Sequence, residues 1–252
     1  MKMKQHWQNI QQQFSIRINS YEKAAHWMLH PDLRKLHTKI IGKPTEEANR
    51  ILDLCCGTGI VGRDITPLGW QVEGIDVTRE MVDVAKDHHP AIVGEVEKMP
   101  YPDNSFDVVT IRQAFMLLEG HQSMKEINRV LKPGGRFILV QSIPFGELDA
   151  NEYEQIQLAR HIYMTRYYDT KALHEIMNDH GFNISKTEFV SVRESVDHWL
   201  NNALALPMST KEEIKNLIQG ASDGYKKTRN VKSMEGELFE NWNWAVIEGI
   251  KV

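Results

Sequence analysis

Cysteine is nearly absent from this 252-residue chain: there are two, Cys55 and Cys56, side by side. Neighbouring cysteines close a disulfide only in a strained ring, which excludes a disulfide framework and suits a reducing compartment. No apolar run approaches the roughly 20 residues of a membrane span. The opening stretch Met1–Trp7 is polar and lacks the apolar core of a signal peptide. The expectation is a cytoplasmic protein with no membrane partner. Basic residues are not in excess, since 30 Lys and Arg stand against 34 Asp and Glu for a net charge of −4. No nucleic-acid partner is expected from that balance. The eleven histidines form no metal spacing with cysteine or carboxylates, so no metal is expected. Internal repeats and low-complexity stretches are missing too. The remaining composition, 41% hydrophobic and 25% charged, is that of a globular chain long enough for one large domain or a domain with an elaborated cap.

What is present is organised around Ile51–Gly62. An apolar run with one acidic residue, Ile51-Leu52-Asp53-Leu54, meets Gly57-Thr58-Gly59, after which a helix-compatible pattern begins. That is a buried strand turning sharply into a helix, whose N-terminus and glycines let a ligand approach the backbone. Strand patterns recur at Gln71–Asp76, Ala91–Glu95, Phe106–Ile111, Arg136–Gln141, Ile184–Arg193 and Asn243–Lys251. Counting Ile51–Leu54 as the first, helical patterns at about Ile60–Leu68, from Thr78, and at Met124–Leu131 stand between the first five strands, with a turn at Tyr101–Ser105 between the third and fourth. Such alternation predicts a parallel α/β sheet with helices on both faces. Ahead of it, Ile10, Phe14 and Ile18 at four-residue spacing, Tyr21–Leu29, and Leu33, Leu36 and Ile40 predict helices up to the Gly42-Lys43-Pro44 break. Behind it, helices are expected over Glu152–Tyr168, Thr170–His180, Asp197–Leu204 and Lys211–Ser222. His88-His89 is expected to fray into solvent ahead of Pro90.

Ligands of open parallel sheets bind beyond the carboxyl ends of the strands, where the strand order reverses. Gly57 and Gly59, Asp76, and Glu95-Val96 all fall at such ends. Gly57-Thr58-Gly59-Ile60-Val61-Gly62 fits a dinucleotide fingerprint, and Asp76, 19 residues beyond Gly57, could accept the hydroxyls of any adenosine ribose. Asp53 separates the two cofactor readings. A carboxylate just upstream of the glycine turn repels a pyrophosphate, whereas it stabilises the ammonium and sulfonium of S-adenosylmethionine.

On these residues the chain resembles the class I S-adenosylmethionine-dependent methyltransferases. Ile51–Gly59 resembles their first motif. Gly94–Val109 is similar to their adenine-contacting loop and fourth strand, and Leu131–Phe137 to their turn into the fifth. The likeness covers about residues 45–145 and is nearest to the quinone-biosynthesis type of small-molecule methyltransferase. It implies a Rossmann-like, doubly wound, mostly parallel seven-stranded sheet with an antiparallel last strand. An N-terminal helical flap (1–45) precedes the methyltransferase domain (46–252), which has a core at 46–145 and helical additions at 147–168 and 195–235, the latter a lid insertion between the last two strands. Cofactor roles follow by position. Asp53 would face the methionine ammonium, and Cys55, Gly57 and Gly59 would pass beside the methionine. Asp76 would hold the ribose, with Val77 and Met81 on the adenine. Glu95 and Val96 would also meet the adenine, and Arg112 and Gln113 would border the methionine end. Two departures stand out: Cys55 occupies a position where many members have glycine, and Glu95 one where aspartate is usual.

The acceptor is expected to be a small molecule, methylated on oxygen, nitrogen or carbon by in-line displacement in a lidded pocket. Ile111–Phe115 lacks the Asn-Pro-Pro-Tyr-type sequence of amino-group methylases. Candidate proton acceptors are His26, His161, Tyr163 and Tyr167; candidate acceptor contacts are Tyr21, Trp27, His30, Arg160, His198 and Trp199. Arg160, Tyr163 and Tyr167 would share one helix face by spacing. Cys55 and Cys56 read as small buried fillers, and Asp107 as structural. Two rival readings are an NAD(P)-dependent oxidoreductase and a non-catalytic binding protein of the same fold.

Overall fold

The computed structural model describes residues 2–204 and 206–252; Met1 of the 1–45 flap and Ala205 of the 195–235 addition lie outside the described residues. The strands are β1 (Arg50–Leu54), β2 (Gln71–Asp76), β3 (Ala91–Val93), β4 (Phe106–Arg112), β5 (Leu131–Ile143), β6 (Phe182–Ser195), β7 (Lys232–Met234) and β8 (Glu237–Lys251). They pair in the order β3-β2-β1-β4-β5-β8-β6, and β7 adds a short hairpin to the start of β8. β1 to β5 pair in parallel, while β8 runs antiparallel between β5 and β6. This is the expected sheet, enlarged by β7.

The helices are α1 (Lys2–Ser15), α2 (Pro31–Ile41), α3 (Ile60–Ile65), α4 (Arg79–Ala85), α5 (Gly120–Val130), α6 (Ala150–Arg160), α7 (Thr170–Asp179), α8 (Val196–Asn201), α9 (Met208–Gly220) and α10 (Asp223–Thr228). Strands of a parallel sheet are buried on both faces, so each reads as an unbroken apolar run whose alternate residues feed opposite cores. Ile51, Val72, Val108 and Ile138 pack with α2, α3 and the C-terminal helices on one face. Leu52, Leu54, Ile75, Val109 and Phe137 pack with α5 and α7 on the other. Asp107 accepts from Asn49 N, Arg50 N and Lys132 Nζ and so pins the entry of β1 to β4 and β5, a structural duty.

Tertiary contacts redraw four local patterns. α1 stops at Ser15, and Ile18–Lys23 and His26–Leu29 are short 3₁₀ turns instead of α-helix. The buried Glu194 carboxylate accepts from His26 N and Trp27 N, and Glu22 is drawn to Thr58 Oγ1 and Arg63, both at 2.7 Å. Second, α6 ends at Arg160, not near Tyr168, because Thr165 is claimed by the carbonyls of Met116 and Leu118. Arg160, Tyr163 and Tyr167 therefore share no helix face. Third, His89 does not fray: it is 5% exposed, and its ring fills the space beside Gly62, where a Cβ would stand 1.9 Å from its Cδ2. Last, the stretch between β6 and β8 holds α8, α9 and the unanticipated α10, packed on α6 and β8 through Trp199, Leu200, Ile214, Ile218 and Tyr225. A buried ion network fastens it. Arg229 bonds Asp149 at 2.7 Å and lies 3.9 Å from Glu240, which accepts from Tyr225 Oη and Trp242 Nε1; all three charged side chains are fully buried.

Candidate functional site

The strand order reverses between β1 and β4, and the loops leaving β1, β2 and β4 converge there. Two side-chain-bearing residues at this rim hold left-handed backbone, Cys55 (φ 51°) and Gln113 (φ 53°). Each costs roughly 1 kcal/mol relative to ordinary backbone, and such residues cluster at functional sites. Gln113 is braced there by bonds to Ser142 Oγ, Ser142 N and Gln141. Gly57 (φ 53°) needs its missing side chain, because the Tyr21 ring lies on it and a Cβ would sit 3.3 Å from Cε1.

The amides of the glycine turn are already engaged. Gly57 N donates to Asp76 Oδ2 at 3.0 Å, and Gly59 N to Cys56 O at 2.9 Å. Asp76 Oδ1 accepts from Thr78 N at 2.8 Å. Burial raises the Asp76 pKa, and these N–H bonds restrain the rise. Asp76 lines the cavity described below. A turn so committed is poorly suited to a pyrophosphate.

Deeper, at the end of β1, Asp53 is 1% exposed and its Oδ2 has no hydrogen-bond partner. Burial pushes its pKa up to about 8, against the pull of the Arg112 charge. Arg112, at the end of β4, is the mirror image: burial lowers its pKa, Asp53 counteracts, and Nη1 is buried without a partner. Its guanidinium lies 5.9 Å from the Trp27 ring centre. Asp53 and Arg112 thus present one unpaired acceptor and one unpaired donor to a recess shared with Tyr21, Trp27 and Cys55.

That recess adjoins a partly open cavity of about 100 Å³. Cys55, Gly57, Asp76, Val77, Met81, Arg112 and Gln113 line its floor. The flap supplies the cover, with Trp7, Ile10, Phe14, Arg17, Tyr21 and Trp27. Arg160, His161 and Tyr163 form a side wall with Trp199 of α8 and Trp242 of β8, so all three outer segments contribute. α1 straddles the mouth: His6 Nε2 meets Leu117 O at 2.9 Å, Gln11 donates to Val77 O at 2.9 Å, and Ser15 to Glu80 at 3.0 Å.

Other residues singled out from sequence stand elsewhere. Gly59 caps α3 in left-handed backbone, Glu95 is exposed and Val96 is in the core; none of the three lines the cavity. His26 stacks on His198 at 5.1 Å, and His198 Nε2 meets the Lys23 carbonyl at the outer edge. His30 lies outside the cavity, as does Tyr167, whose buried hydroxyl has no partner. Arg17 and Trp242 are additions. Arg17 stands three residues after Phe14 and four before Tyr21, a charge set among aromatics at helical spacing, which is a readable signal. Trp242 alternates with Trp244 as core strand residues do and carries none.

The family model of a methyltransferase domain matches residues 52–139. Demethylmenaquinone methyltransferase of Staphylococcus aureus is 32% identical over 150 residues, covering 54% of this chain and 58% of that protein. The chain thus spans little more than half the length of that relative. Among solved structures, a putative methyltransferase from Bacillus halodurans superposes with TM-score 0.77 at 19% identity, over 86% of this chain and 98% of the other. Geranyl diphosphate C-methyltransferase from Streptomyces coelicolor, solved with Mg2+, geranyl diphosphate and S-adenosyl-L-homocysteine, gives TM-score 0.58 at 16% identity, over 89% and 78%. At such identities the likeness is one of fold.

Proposed function

We propose that this chain, which has the class I methyltransferase fold and a methyltransferase domain over residues 52–139, transfers a methyl group from S-adenosylmethionine to a small molecule. The observation that carries the reading is the unpaired couple Asp53 Oδ2 and Arg112 Nη1. A buried carboxylate and a buried guanidinium that do not satisfy each other fit the ammonium and carboxylate of one amino-acid moiety. Asp76 would hold the ribose hydroxyls, with Val77 and Met81 against the adenine. The cofactor supplies a methyl group already activated by its sulfonium. The chain's task is then to align the acceptor and exclude water. The aromatic cover from the flap and Trp199 does the second. Of the four candidate proton acceptors, His161 and Tyr163 reach the cavity. Burial, with Arg160 and Arg17 beside it, pushes the His161 pKa well down, so its imidazole is neutral at pH 7 and its unpartnered Nε2 is free to act. A small-molecule acceptor agrees with the name of the Staphylococcus relative, a demethylmenaquinone methyltransferase.

Calorimetry tests the reading. S-adenosylmethionine or S-adenosylhomocysteine should bind at micromolar affinity and NAD+ far more weakly, and Asp53→Asn should weaken the first two. The reverse ranking would overturn it.

A further inference from the structure

Two arginines of the cavity serve neither the proposed cofactor contacts nor the fold. Arg160, the last residue of α6, is 2% exposed, and its Nε and Nη1 have no hydrogen-bond partner. Arg17, just beyond α1, is 8% exposed, and its Nε has none. Both line the cavity, one from the side wall and one from the cover. Among the described residues lining it the one carboxylate is Asp76, whose two oxygens already accept backbone N–H groups. Arg229, equally buried, shows the usual arrangement, with Asp149 and Glu240 around it. An uncompensated buried guanidinium is costly. Here the fold brings two of them, 143 positions apart in sequence, into one chamber. Burial drags the Arg160 pKa down to about 9, with the Arg17 charge adding to the effect.

The surroundings are aromatic. The Arg160 guanidinium lies 5.1 Å from the Trp199 ring centre, and Trp242 meets Trp199 edge-on at 4.8 Å. Arg17 sits 5.5 Å from the Phe14 ring and 5.9 Å from Tyr21. Guanidiniums backed by aromatic faces, with donors still free, are built to take an oxyanion in bidentate fashion.

We propose that Arg17 and Arg160 seat an oxyanionic group of the methyl acceptor, a carboxylate or a phosphate, whose apolar body lies on Trp199 and Trp242. This rests on the methyltransferase reading above and narrows it to anionic acceptors. The methionine carboxylate is not the occupant, because Arg112 beside Asp53 serves that end. An anion between the two arginines also relieves the positive field on His161 next to it, making that imidazole the more able proton acceptor.

The test uses the whole protein, with and without S-adenosylhomocysteine, titrated by calorimetry and tryptophan fluorescence with phenyl phosphate, benzoate and neutral benzamide. The two anions should bind and benzamide should not; the tighter anion identifies phosphate or carboxylate as the group. Arg160→Met and Arg17→Met should each weaken the anion by about 10- to 100-fold, the range for a charged hydrogen-bonding group, with Arg160→Lys between. Because each Met variant removes an unpaired buried charge, its melting temperature should hold or rise. If Arg160→Met fails to fold, Arg160→Lys and Arg17→Met carry the comparison. Equal binding of all three probes, or unchanged anion affinity in folded Met variants, overturns the proposal. So does loss of S-adenosylhomocysteine binding with anion affinity intact, which would give the arginines to the cofactor. Failure of the wild type to bind S-adenosylhomocysteine while the arginines still bind anion would instead sink the cofactor reading alone.

Discussion

Cofactor binding should expel a proton from Asp53. In the free protein the Asp53 pKa stands at about 8, so at pH 7 the side chain is about nine-tenths protonated. An ammonium placed beside it favours the carboxylate and drives that proton out. The apparent affinity should therefore climb with pH and level off above pH 8. For a group of that pKa, a bound form ionised throughout gives a rise of about 50-fold between pH 6 and pH 8. Titration of S-adenosylhomocysteine at pH 7, in buffers of differing ionisation enthalpy, should report about 0.9 proton released per site. Asp53→Asn keeps the shape and abolishes both the release and the steep pH dependence. The free protein carries the matching stability signature. Its raised pKa means the folded state binds a proton more tightly than the unfolded chain. Stability from this group is present below pH 4 and is lost as pH rises toward 8. Proton uptake on binding, or the same release from the Asn variant, would refute the assignment of Asp53 to the ammonium.

Asp76→Ala removes ribose contacts and also strands Gly57 N and Thr78 N, so calorimetry should show weaker cofactor by about 1.5–3 kcal/mol per bond lost, with a lower melting temperature. Gly62→Ala forces a methyl group against His89 and should destabilise by about 1–3 kcal/mol in denaturant melts. Most of that loss should return in the Gly62→Ala/His89→Ala double variant; no recovery would mean the strain lies elsewhere. Arg229→Ala leaves Asp149 and Glu240 buried and unpaired and should cost about 3–5 kcal/mol of stability by the same measurement.

The parts legible in sequence were those whose cause is local. An apolar run carrying Asp53, a glycine turn and Asp76 at the end of the next strand locate the floor of the cavity, because strand ends and tight turns are specified by neighbours in the chain. What escaped has its cause at a distance. Nothing around His89 announces that it fills the gap beside Gly62 and Gly74. The end of α6 is decided by the Met116 and Leu118 carbonyls, more than 40 residues upstream of Thr165. The resemblance assigns Glu95 and Val96 to the adenine, but Glu95 is exposed, Val96 is in the core, and neither lines the cavity.

The cover of the cavity comes early in the chain, yet what it rests on is spread to the far end. His26 and Trp27 hang from Glu194, 168 and 167 positions later, and the Trp27 ring lies 4.8 Å from that of Trp244 in the final strand. His26 and Trp27 therefore have no seat until β6 and β8 are in place, whereas α1 rests on Val77, Glu80 and Leu117, which come in the first half of the chain. The chamber gains its Trp199 and Trp242 wall only with the pairing of β6 and β8, so its closure is coupled to contacts far apart in the sequence.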